Sequence, residues 1–379
     1  MEKDRPLYRV IYDDILRKIQ RGDYPNGTRI PTEAEWARMY NVSRITSKRA
    51  LDMAAENGII TRYPRRGSFV AIDATKARSY RTGQKNRVVG IILPSLSDTF
   101  GLELFQTLES AFQECGIITV TGISKDHYSL ESKLIASHVD FGVDGLIIKP
   151  VHDETFNQDI LKLIVDGFPV VLIDRYLKDV SCPNVTSNNF QGAVDGMQHL
   201  YELGHRNIGI ISRRIGDTTT LQERYNGVLH SIMQAGIQFN PQWFLTDLAE
   251  SDCDYSESWT DARDRVCRFL ESNPELTAVF GLKYSVVPVL EEAAHKVGRR
   301  IPEDLSVICF DSSDRLLNSI HQVTHIRQNE QEIARHAFEA ISTRLNKGER
   351  DDSSMEYVVD TELVPGRTTA PIRQDLAQA

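Results

Sequence analysis

The chain has 379 residues and a formal net charge of -9, and its length predicts two or three folded units rather than one hydrophobic core. Its five cysteines form no C-x-x-C pair, which argues against a disulfide framework and a zinc site. Neither a signal sequence nor a run of about 18 apolar residues occurs, so we expect a cytoplasmic protein without a membrane span.

The charge is divided unevenly along the chain. Residues 1–87 contain 19 Lys and Arg against 10 Asp and Glu, a net charge of +9, which leaves -18 for residues 88–379. Lys and Arg that displace counterions from phosphates supply most of the nonspecific affinity for nucleic acids. The sequence therefore predicts a nucleic-acid-binding head on an acidic body.

The sequence of the head predicts a helix, a short strand, two helices and a hairpin, in that order. Apolar residues recur three and four apart within residues 8–19, which indicates a first helix. Thr32 and Glu35 form a capping-box sequence before a second helix, and Ser43 can cap a third. Two short alternating segments around Y-P-R-R-G predict the hairpin. This order is that of a winged helix-turn-helix, whose third helix enters the major groove of DNA.

Basic and hydroxyl side chains concentrate on this third helix and on the hairpin. Arg makes bidentate contacts to guanine, whereas Ser, Thr and Lys mostly contact phosphates. A solvated charged face is the simpler explanation for one helix alone, but helix order, charge and basic hairpin coincide here. The predicted DNA-binding residues are Arg44, Thr46, Ser47, Lys48, Arg49, Arg65, Arg66 and Gly67.

The motifs G-T-R-I-P-T-E-A-E-W-A, N-V-S-R-I-T-S-K-R-A-L and G-S-F-V resemble the GntR-type winged-helix family over residues 5–71. The resemblance implies a DNA-binding domain at residues 1–72. Two positions depart from the family. Ala34 stands where the family commonly has Arg, which removes one customary DNA contact, and Ser47 occupies an apolar core position, which implies looser packing.

The segment 73–86 contains few apolar residues and is predicted to be a basic linker. Beyond it, short runs rich in Ile and Val alternate with segments of helical length, as buried parallel strands do in doubly wound sheets. About 290 residues accommodate two such lobes. The predicted fold is thus an α/β multidomain chain, with a winged helix-turn-helix before a two-lobed, doubly wound parallel α/β body.

Polar residues follow these runs, where ligands of doubly wound sheets bind. Carboxylates, amides and guanidiniums beside one aromatic ring are suited to a polyol. For any single residue a loop or cap hydrogen bond is the simpler explanation. Their repetition at the ends of several strands is what favours a ligand site.

The motifs H-L-Y-E-L-G-H-R-N-I-G-I-I, P-V-V-L-I-D-R and I-P-E-D-L-S-V-I-C-F-D resemble the LacI-type effector domain, itself similar to periplasmic sugar-binding proteins. The resemblance implies an effector-binding and dimerisation domain at residues 87–379. Lobe 1 is expected at about 87–187 and 325–350, and lobe 2 at about 188–324 and 351–372.

Ligand-contacting positions of that family fall here on Asp98, Phe100, Asp174, Arg175, Arg224, Asp311 and Gln328. A departure lies at F-G-L-K-Y-S, where sugar binders of this fold usually have Asn-Asp and this chain has Lys283 and Tyr284. Lys283 beside two arginines predicts recognition of an anionic group. The alternative is that Lys283 pairs with Asp311 or faces solvent.

Together these features predict a sequence-specific DNA-binding transcription regulator. We expect a homodimeric repressor on palindromic double-stranded DNA, released by a sugar, sugar acid or sugar phosphate bound between the lobes, without cofactor or metal. No residue excludes activation or corepression. The alternatives are an α/β enzyme acting on a sugar and a sugar-binding protein without transcriptional role; nucleotide-binding and nucleophile motifs are absent.

Overall fold

The computed structural model describes residues 6–63, 66–71, 87–151, 157–248, 259–313, 322–347 and 355–373. The chain divides into two compact units, the head at residues 1–87 and the body at residues 88–379. Within the described ranges, no helix combines the length and the apolar character needed to cross a membrane.

The head has the predicted winged helix-turn-helix order. Its elements are α1 (Leu7–Arg21), α2 (Glu33–Met39), α3 (Arg44–Glu56), β1 (Ile60–Tyr63) and β2 (Gly67–Val70). The two strands pair antiparallel, and an isolated bridge joins Arg29 to Phe69 beside them. Trp36, Ile15 and Leu51 lie in the core between the three helices, where each is almost completely buried.

Local signals set the helix boundaries of the head. The Thr32 backbone N–H donates to Glu35 Oε2 at 2.6 Å, and the Thr32 hydroxyl accepts from the Glu35 N–H, which completes the capping box of α2. Ser43 Oγ accepts from the Thr46 N–H at 3.1 Å and caps α3. The first turn of α3 is therefore fixed at its start.

The body consists of parallel strands alternating with helices. Its described strands are β3 (Val88–Leu93), β4 (Ile118–Ile123), β5 (Gly145–Ile148), β6 (Val170–Ile173), β7 (Asn184–Ser187), β8 (Ile208–Arg213), β9 (Phe244–Leu248), β10 (Ala278–Gly281), β11 (Ser306–Phe310), β12 (Thr324–Gln328), β13 (Glu356–Val359) and β14 (Thr361–Val364). Its described helices are α4 (Leu102–Glu114), α5 (Tyr128–Phe141), α6 (Gln158–Val165), α7 (Asn189–Glu202), α8 (Thr219–Gln234), α9 (Trp259–Ser272), α10 (Val287–Lys296) and α11 (Glu330–Lys347).

These strands form two six-stranded sheets, one in each lobe. The sheet of lobe 1 has the order β4-β3-β5-β6-β7-β13, and all its strands are parallel. The sheet of lobe 2 has the order β9-β8-β10-β11-β12-β14, in which β14 alone runs antiparallel. The strand order reverses between β3 and β5 in lobe 1 and between β8 and β10 in lobe 2. Both sheets are doubly wound, as predicted, and each has a switch point where ligands of such folds bind.

The assignment of the last strands to lobes differs from the expectation. Residues 325–350 were expected in lobe 1, but β12 pairs with β11 in lobe 2. Residues 351–372 were expected in lobe 2, but β13 pairs with β7 in lobe 1. The chain changes lobe at 187–189, 328–330 and 359–361, because α11 packs on lobe 1 and draws β13 to that sheet.

Glu330, the first residue of α11, joins two elements of lobe 1. Its buried carboxylate is 7% exposed and accepts from the backbone N–H groups of Gly101 at 2.7 Å and Leu104 at 2.9 Å. These are N–H groups at the start of α4 that have no partner within that helix. Burial raises the pKa of Glu330, and the two backbone donors oppose that shift.

We expect Glu330→Ala to lower the free energy of unfolding of the body by about 1–3 kcal/mol, because it leaves two buried N–H donors unpaired. Glu332→Ala is the matched control, since Glu332 lies in the same helix and pairs with Arg335 at the surface. Urea denaturation of both variants measures the difference. Equal losses in the two variants would show that the cap contributes nothing.

Candidate functional site

The first turn of α3 presents basic side chains to solvent. Arg44, Lys48 and Arg49 are exposed, and the Arg49 guanidinium lies 4.3 Å from the centre of the Tyr8 ring. Thr46 is half-buried, and its hydroxyl is 2.8 Å from Ser43 Oγ. Arg44 and Lys48 lie four residues apart, and such residues share one helix face.

Ser47 is not part of this surface, contrary to its assignment as a DNA-binding residue. Its side chain is 0% exposed, and its hydroxyl donates to the carbonyl oxygens of Glu33 at 2.8 Å and Arg44 at 3.0 Å. Ser47 follows the inward-facing positions of α3 and joins α3 to α2. The correction restricts the exposed set on this helix to the remaining residues.

The hairpin is described in part, and of its two predicted arginines only Arg66 lies in the described residues. Arg66 lies with its guanidinium 5.8 Å from the Tyr63 ring centre, and Arg65 lies outside the described residues. Gly67 has φ +105°, and a Cβ at that position would lie 2.8 Å from Arg29 Nε. Gly67 is therefore required by the backbone of the turn, and any contact it makes with DNA is through the main chain.

Ile45 is a candidate that sequence reasoning missed. It is 81% exposed between Arg44 and Thr46 at the start of α3. An apolar side chain exposed in the first turn of a recognition helix is suited to contact the methyl group of thymine. The sequence could have indicated Ile45, because it is the single apolar residue within the polar segment S-R-I-T-S-K.

The second site is a cleft at the carboxyl ends of the strands in both lobes. It encloses about 250 Å³. The residues that line it are Pro94, Ser95, Ser97, Thr99, Phe100, Asp126, Lys149, Val151, Asp174, Arg175, Arg213, Thr218, Thr220, Leu221, Arg224, Lys283, Tyr284, Ser285, Asp311 and Gln328. Seven of the eight predicted effector-binding residues are among them.

Asp98 is the exception. It is not part of the lining, and its carboxylate accepts a hydrogen bond from Ser313 Oγ. Asp98 belongs to lobe 1 and Ser313 follows β11 of lobe 2, so this contact joins the lobes. Asp98 therefore has a role in the lobe arrangement rather than in the cavity wall.

On the lobe 1 side, an ion pair and an aromatic ring lie together. Lys149 Nζ is 2.7 Å from Asp174 Oδ2 and 4.1 Å from the centre of the Phe100 ring. Burial acts to raise the pKa of Asp174, but Lys149 and Arg175 outweigh it and hold that pKa below its usual value. Asp174 is thus an ionised acceptor facing the cavity.

Arg175 serves the backbone of lobe 1 as well as the cleft. Its Nη1 donates to the carbonyl oxygens of Pro150 and Val151, and its Nε lies 3.8 Å from Asp174 Oδ2. The guanidinium therefore holds the segment after β5 in place while its charge remains at the cavity wall.

On the lobe 2 side, Gln328 and Asp311 form a buried acceptor pair. Gln328 Nε2 donates to Asp311 Oδ1 at 3.0 Å, and Gln328 Oε1 accepts from Ser187 Oγ of lobe 1 at 2.7 Å. Burial raises the pKa of Asp311, with Arg224 and Gln328 acting against that shift. The hydrogen bond from Ser187 also ties Gln328 to one of the points where the chain changes lobe.

The Arg224 side chain lines the cleft and is held in place by its contacts. Its Nε donates to Asn189 Oδ1 and its Nη1 to the Leu282 carbonyl oxygen, both at 2.8 Å. The guanidinium also stacks on Phe310, 3.9 Å from the ring centre. These contacts hold the charge of Arg224 in one orientation toward Asp311.

Lys283 faces the cavity without a fixed partner. No ion pair or hydrogen bond joins Lys283 to another residue in the described part of the chain, so the expected alternative of a pair with Asp311 is not found there. Burial, followed by the charges of Arg213, Arg175 and Lys149, lowers the pKa of Lys283 to about 7.

Three charged residues of the cavity were missed from the sequence. Lys149 directly follows β5, Arg213 ends β8, and Asp126 follows β4 with φ +55°. The segments G-L-I-I-K and G-I-I-S-R could have indicated Lys149 and Arg213, because each is the first charged residue after an apolar run, and the ligand edge lies there.

Comparison with known proteins finds one matching family model in each unit. The model of bacterial regulatory proteins of the gntR family matches residues 7–70, and the model of a periplasmic binding protein-like domain matches residues 197–369. The first match falls within the head and the second within the body. Both resemblances predicted from the motifs are thereby confirmed.

Two similar chains align with this one over nearly their full length. The arabinose metabolism transcriptional repressor of Geobacillus stearothermophilus is 24% identical, with 98% of this chain and 100% of the relative covered. The repressor of the same name from Halalkalibacterium halodurans is 23% identical, and the alignment covers 97% of this chain and 98% of the relative.

Solved structures share the fold of the body. A LacI family transcriptional regulator from Enterococcus faecium with bound ribose has a TM-score of 0.62 at 20% identity and covers 76% of this chain and 100% of its own. The transcriptional regulator CelR–cellobiose complex has a TM-score of 0.63 at 18% identity and covers 89% of this chain and 100% of its own.

We expect Lys283→Met to raise the free energy of unfolding of the body, on the order of 2 kcal/mol at pH 6, because it removes a half-buried cation that has no fixed partner in the described residues. The pKa of Lys283 is about 7 in the fold and 10.5 in its unperturbed state. Between these values the unfolded chain binds more protons, so wild-type stability rises with pH and the advantage of the variant shrinks by pH 9.

Lys296→Met is the matched control, since Lys296 pairs with Asp264 at the surface of the same lobe at 2.9 Å. Its effect on stability is expected to be small and constant between pH 6 and 9. Denaturant unfolding at both pH values gives the comparison. A Lys283→Met variant less stable than wild type at pH 6 would refute the assignment.

Proposed function

We propose that this protein is a transcription repressor whose affinity for double-stranded DNA is controlled by a small polyol effector bound between the lobes of its body. The observation that carries the proposal is the presence, in one chain, of an exposed basic first turn on α3 and a polar cleft between two doubly wound lobes. Relatives that align over nearly the whole chain are named repressors, which supports the same direction of control here.

The head reads DNA through the start of α3. Arg44 contacts a base edge in the major groove, Lys48 contacts a phosphate, and Ile45 contacts a thymine methyl group. Arg49 and Arg66 add positive charge toward the backbone. A homodimer places two such helices on the half-sites of a palindrome.

The effector acts through the arrangement of the lobes. A ligand that contacts Asp174 and Phe100 in lobe 1 and Asp311 and Arg224 in lobe 2 binds best when the lobes approach each other. Three crossings of the chain form the hinge for that movement. A ligand shifts the population of arrangements only by its difference in affinity for them, and a few kcal/mol are sufficient.

The proposal assigns the cleft a binding role without turnover. A thermal-shift screen with sugars and sugar derivatives identifies the ligand, which stabilises the body on binding. The ligand is then incubated with the protein and recovered. Recovery of an altered molecule would favour the alternative of an enzyme, and a ligand without effect on DNA affinity would favour a binding protein without transcriptional role.

We expect Arg44→Ala to weaken binding to a selected DNA site about tenfold to a hundredfold and to relax the preference at one base pair of each half-site. The site is obtained by selection from a pool of random duplexes, and affinity is measured by fluorescence anisotropy at several salt concentrations. Arg335→Ala, the same change at an exposed position of the body, is the control. An Arg44→Ala variant with wild-type affinity, base preference and salt dependence would remove Arg44 from the interface.

A methyl group on DNA tests the role of Ile45. Replacing individual thymines of the selected site by deoxyuridine is expected to weaken wild-type binding at one position of each half-site, because the contact to the methyl group is lost. Ile45→Ala is expected to bind both duplexes equally. Were Ile45→Ala as sensitive to the replacement as wild type, the methyl contact would belong to another residue.

A further inference from the structure

The order of strands in lobe 2 sets the order of charges along one wall of the cleft. Gln328 ends β12, Asp311 follows β11, Lys283 follows β10 and Arg213 ends β8, and these four strands are neighbours in the sheet in that sequence. Gly281 pairs with Ile211, so Lys283 and Arg213 each lie two residues beyond a paired position on strands about 4.8 Å apart. Acceptors therefore occupy one side of the wall and cations the other.

The two cations flank the switch point of lobe 2. The strand order reverses between β8 and β10, and ligands of doubly wound sheets bind outside the carboxyl ends at that reversal. Lys149 follows β5, which lies at the corresponding reversal of lobe 1, and its charge acts on Lys283. Positive charge from both lobes is thus directed at the same part of the cavity.

The described lining contains more positive than negative charge. Lys149, Arg175, Arg213, Arg224 and Lys283 are opposed by Asp126, Asp174 and Asp311, which leaves a formal surplus of two positive charges. A neutral sugar adds no charge to a cavity of about 250 Å³ whose lining has this formal surplus. An anionic group compensates it directly.

We infer that the cleft contains an anion subsite formed by Lys283 and Arg213, with Lys149 facing it from lobe 1, and that the effector is a small polyol carrying one carboxylate or phosphate group. This inference rests on the proposed function, because it specifies the ligand of the same cleft. The hydroxyl groups of the ligand are bound at the other side by Asp311 and Gln328, and by Asp174 next to Lys149. Charge-assisted hydrogen bonds at one end and acceptor contacts at the other give the ligand one orientation.

The protonation of Lys283 supports this assignment. Its pKa is lowered to about 7 by burial and by Arg213, Arg175 and Lys149, with Asp126 acting in the opposite direction. An anion beside the amine stabilises the protonated form, so binding takes up a proton when the pH is above that value. Affinity for the anion therefore falls as the pH rises through 7.

The test is isothermal titration calorimetry on the full chain with matched sets of ligands. Glucose, gluconate, glucuronate and glucose 6-phosphate form one set, and galactose, galacturonate and galactose 6-phosphate another. Arabinose, arabinonate and arabinose 5-phosphate form a third, and inorganic phosphate and sulfate are tested alone. We expect one acid or phosphate to bind at least tenfold more tightly than its neutral parent sugar, and the better of the two classes identifies the anionic group.

Three variants assign the preference to Lys283. Lys283→Met is expected to lose at least tenfold in affinity for the anionic ligand and to lose the fall in affinity that the wild type shows as the pH rises from 7 to 8. Lys283→Arg, which stays charged, is expected to retain the affinity at pH 8. Lys296→Met is the control and is expected to bind as wild type does.

Several outcomes would overturn the inference. These are tighter binding of a neutral sugar than of its acid and phosphate, an unchanged anion affinity in Lys283→Met, and the absence of binding by every anion of the panel. Binding of inorganic phosphate with no gain from an attached polyol would indicate an adventitious ion only. A neutral sugar that binds and changes DNA affinity would leave the proposed function intact, whereas an anion that binds without changing DNA affinity would refute the proposed function and leave the subsite.

Discussion

Both lobes depend on one geometric constraint: in a sheet of parallel strands, every strand ends at the same edge. Eleven of the described strands of the body end in this way, six in lobe 1 and five in lobe 2, and the cleft lies where the two edges face each other. Residues far apart in sequence, such as Asp174 and Asp311, are brought to one cavity because each follows a strand. Both have positive φ, which turns the chain sharply away from the strand and leaves the carboxylate at the edge.

The cleft also shows how burial and charge oppose each other. Lys149 and Asp174 offset part of the cost of their burial by pairing, and Arg224 offsets its own through two hydrogen bonds and the Phe310 ring. Lys283 has no such fixed compensation in the described residues. Proteins tolerate an unfavourable group of this kind where binding requires it, and the rest of the domain supplies the stability.

Much of the fold could be predicted because its signals are local. Thr32 with Glu35 and Ser43 with Thr46 fix helix starts through residues three apart, and continuous apolar runs mark buried strands. The exchange of β12 and β13 between lobes could not be predicted, since it depends on pairing with β11 and β7 more than ten residues away and not on the strands' own composition.

The expected effector-binding residues and the lining of the cleft agree at seven of eight positions, and they differ where the direction of a side chain decides the outcome. Phe100 and Gln328 reached the cavity as expected, whereas Asp98 turns to Ser313 and Ser47 turns into the head. A loop residue or a helix face is placed by packing that no short motif encodes. Lys149 directly follows β5, so the rule that ligand-binding residues follow strand ends could have identified it, but the prediction left it out.

Gln328 and Glu330 are separated by a single residue, yet they serve different parts of the molecule. Gln328 holds Asp311 in the cleft, and Glu330 holds the N-terminus of α4, the helix that begins just after Phe100. A segment of only three residues therefore joins the Gln328–Asp311 contact at the cleft to the contact that fixes the start of α4, next to Phe100. Through this short connection, the position of an acceptor group of lobe 2 is tied to that of the aromatic side of lobe 1.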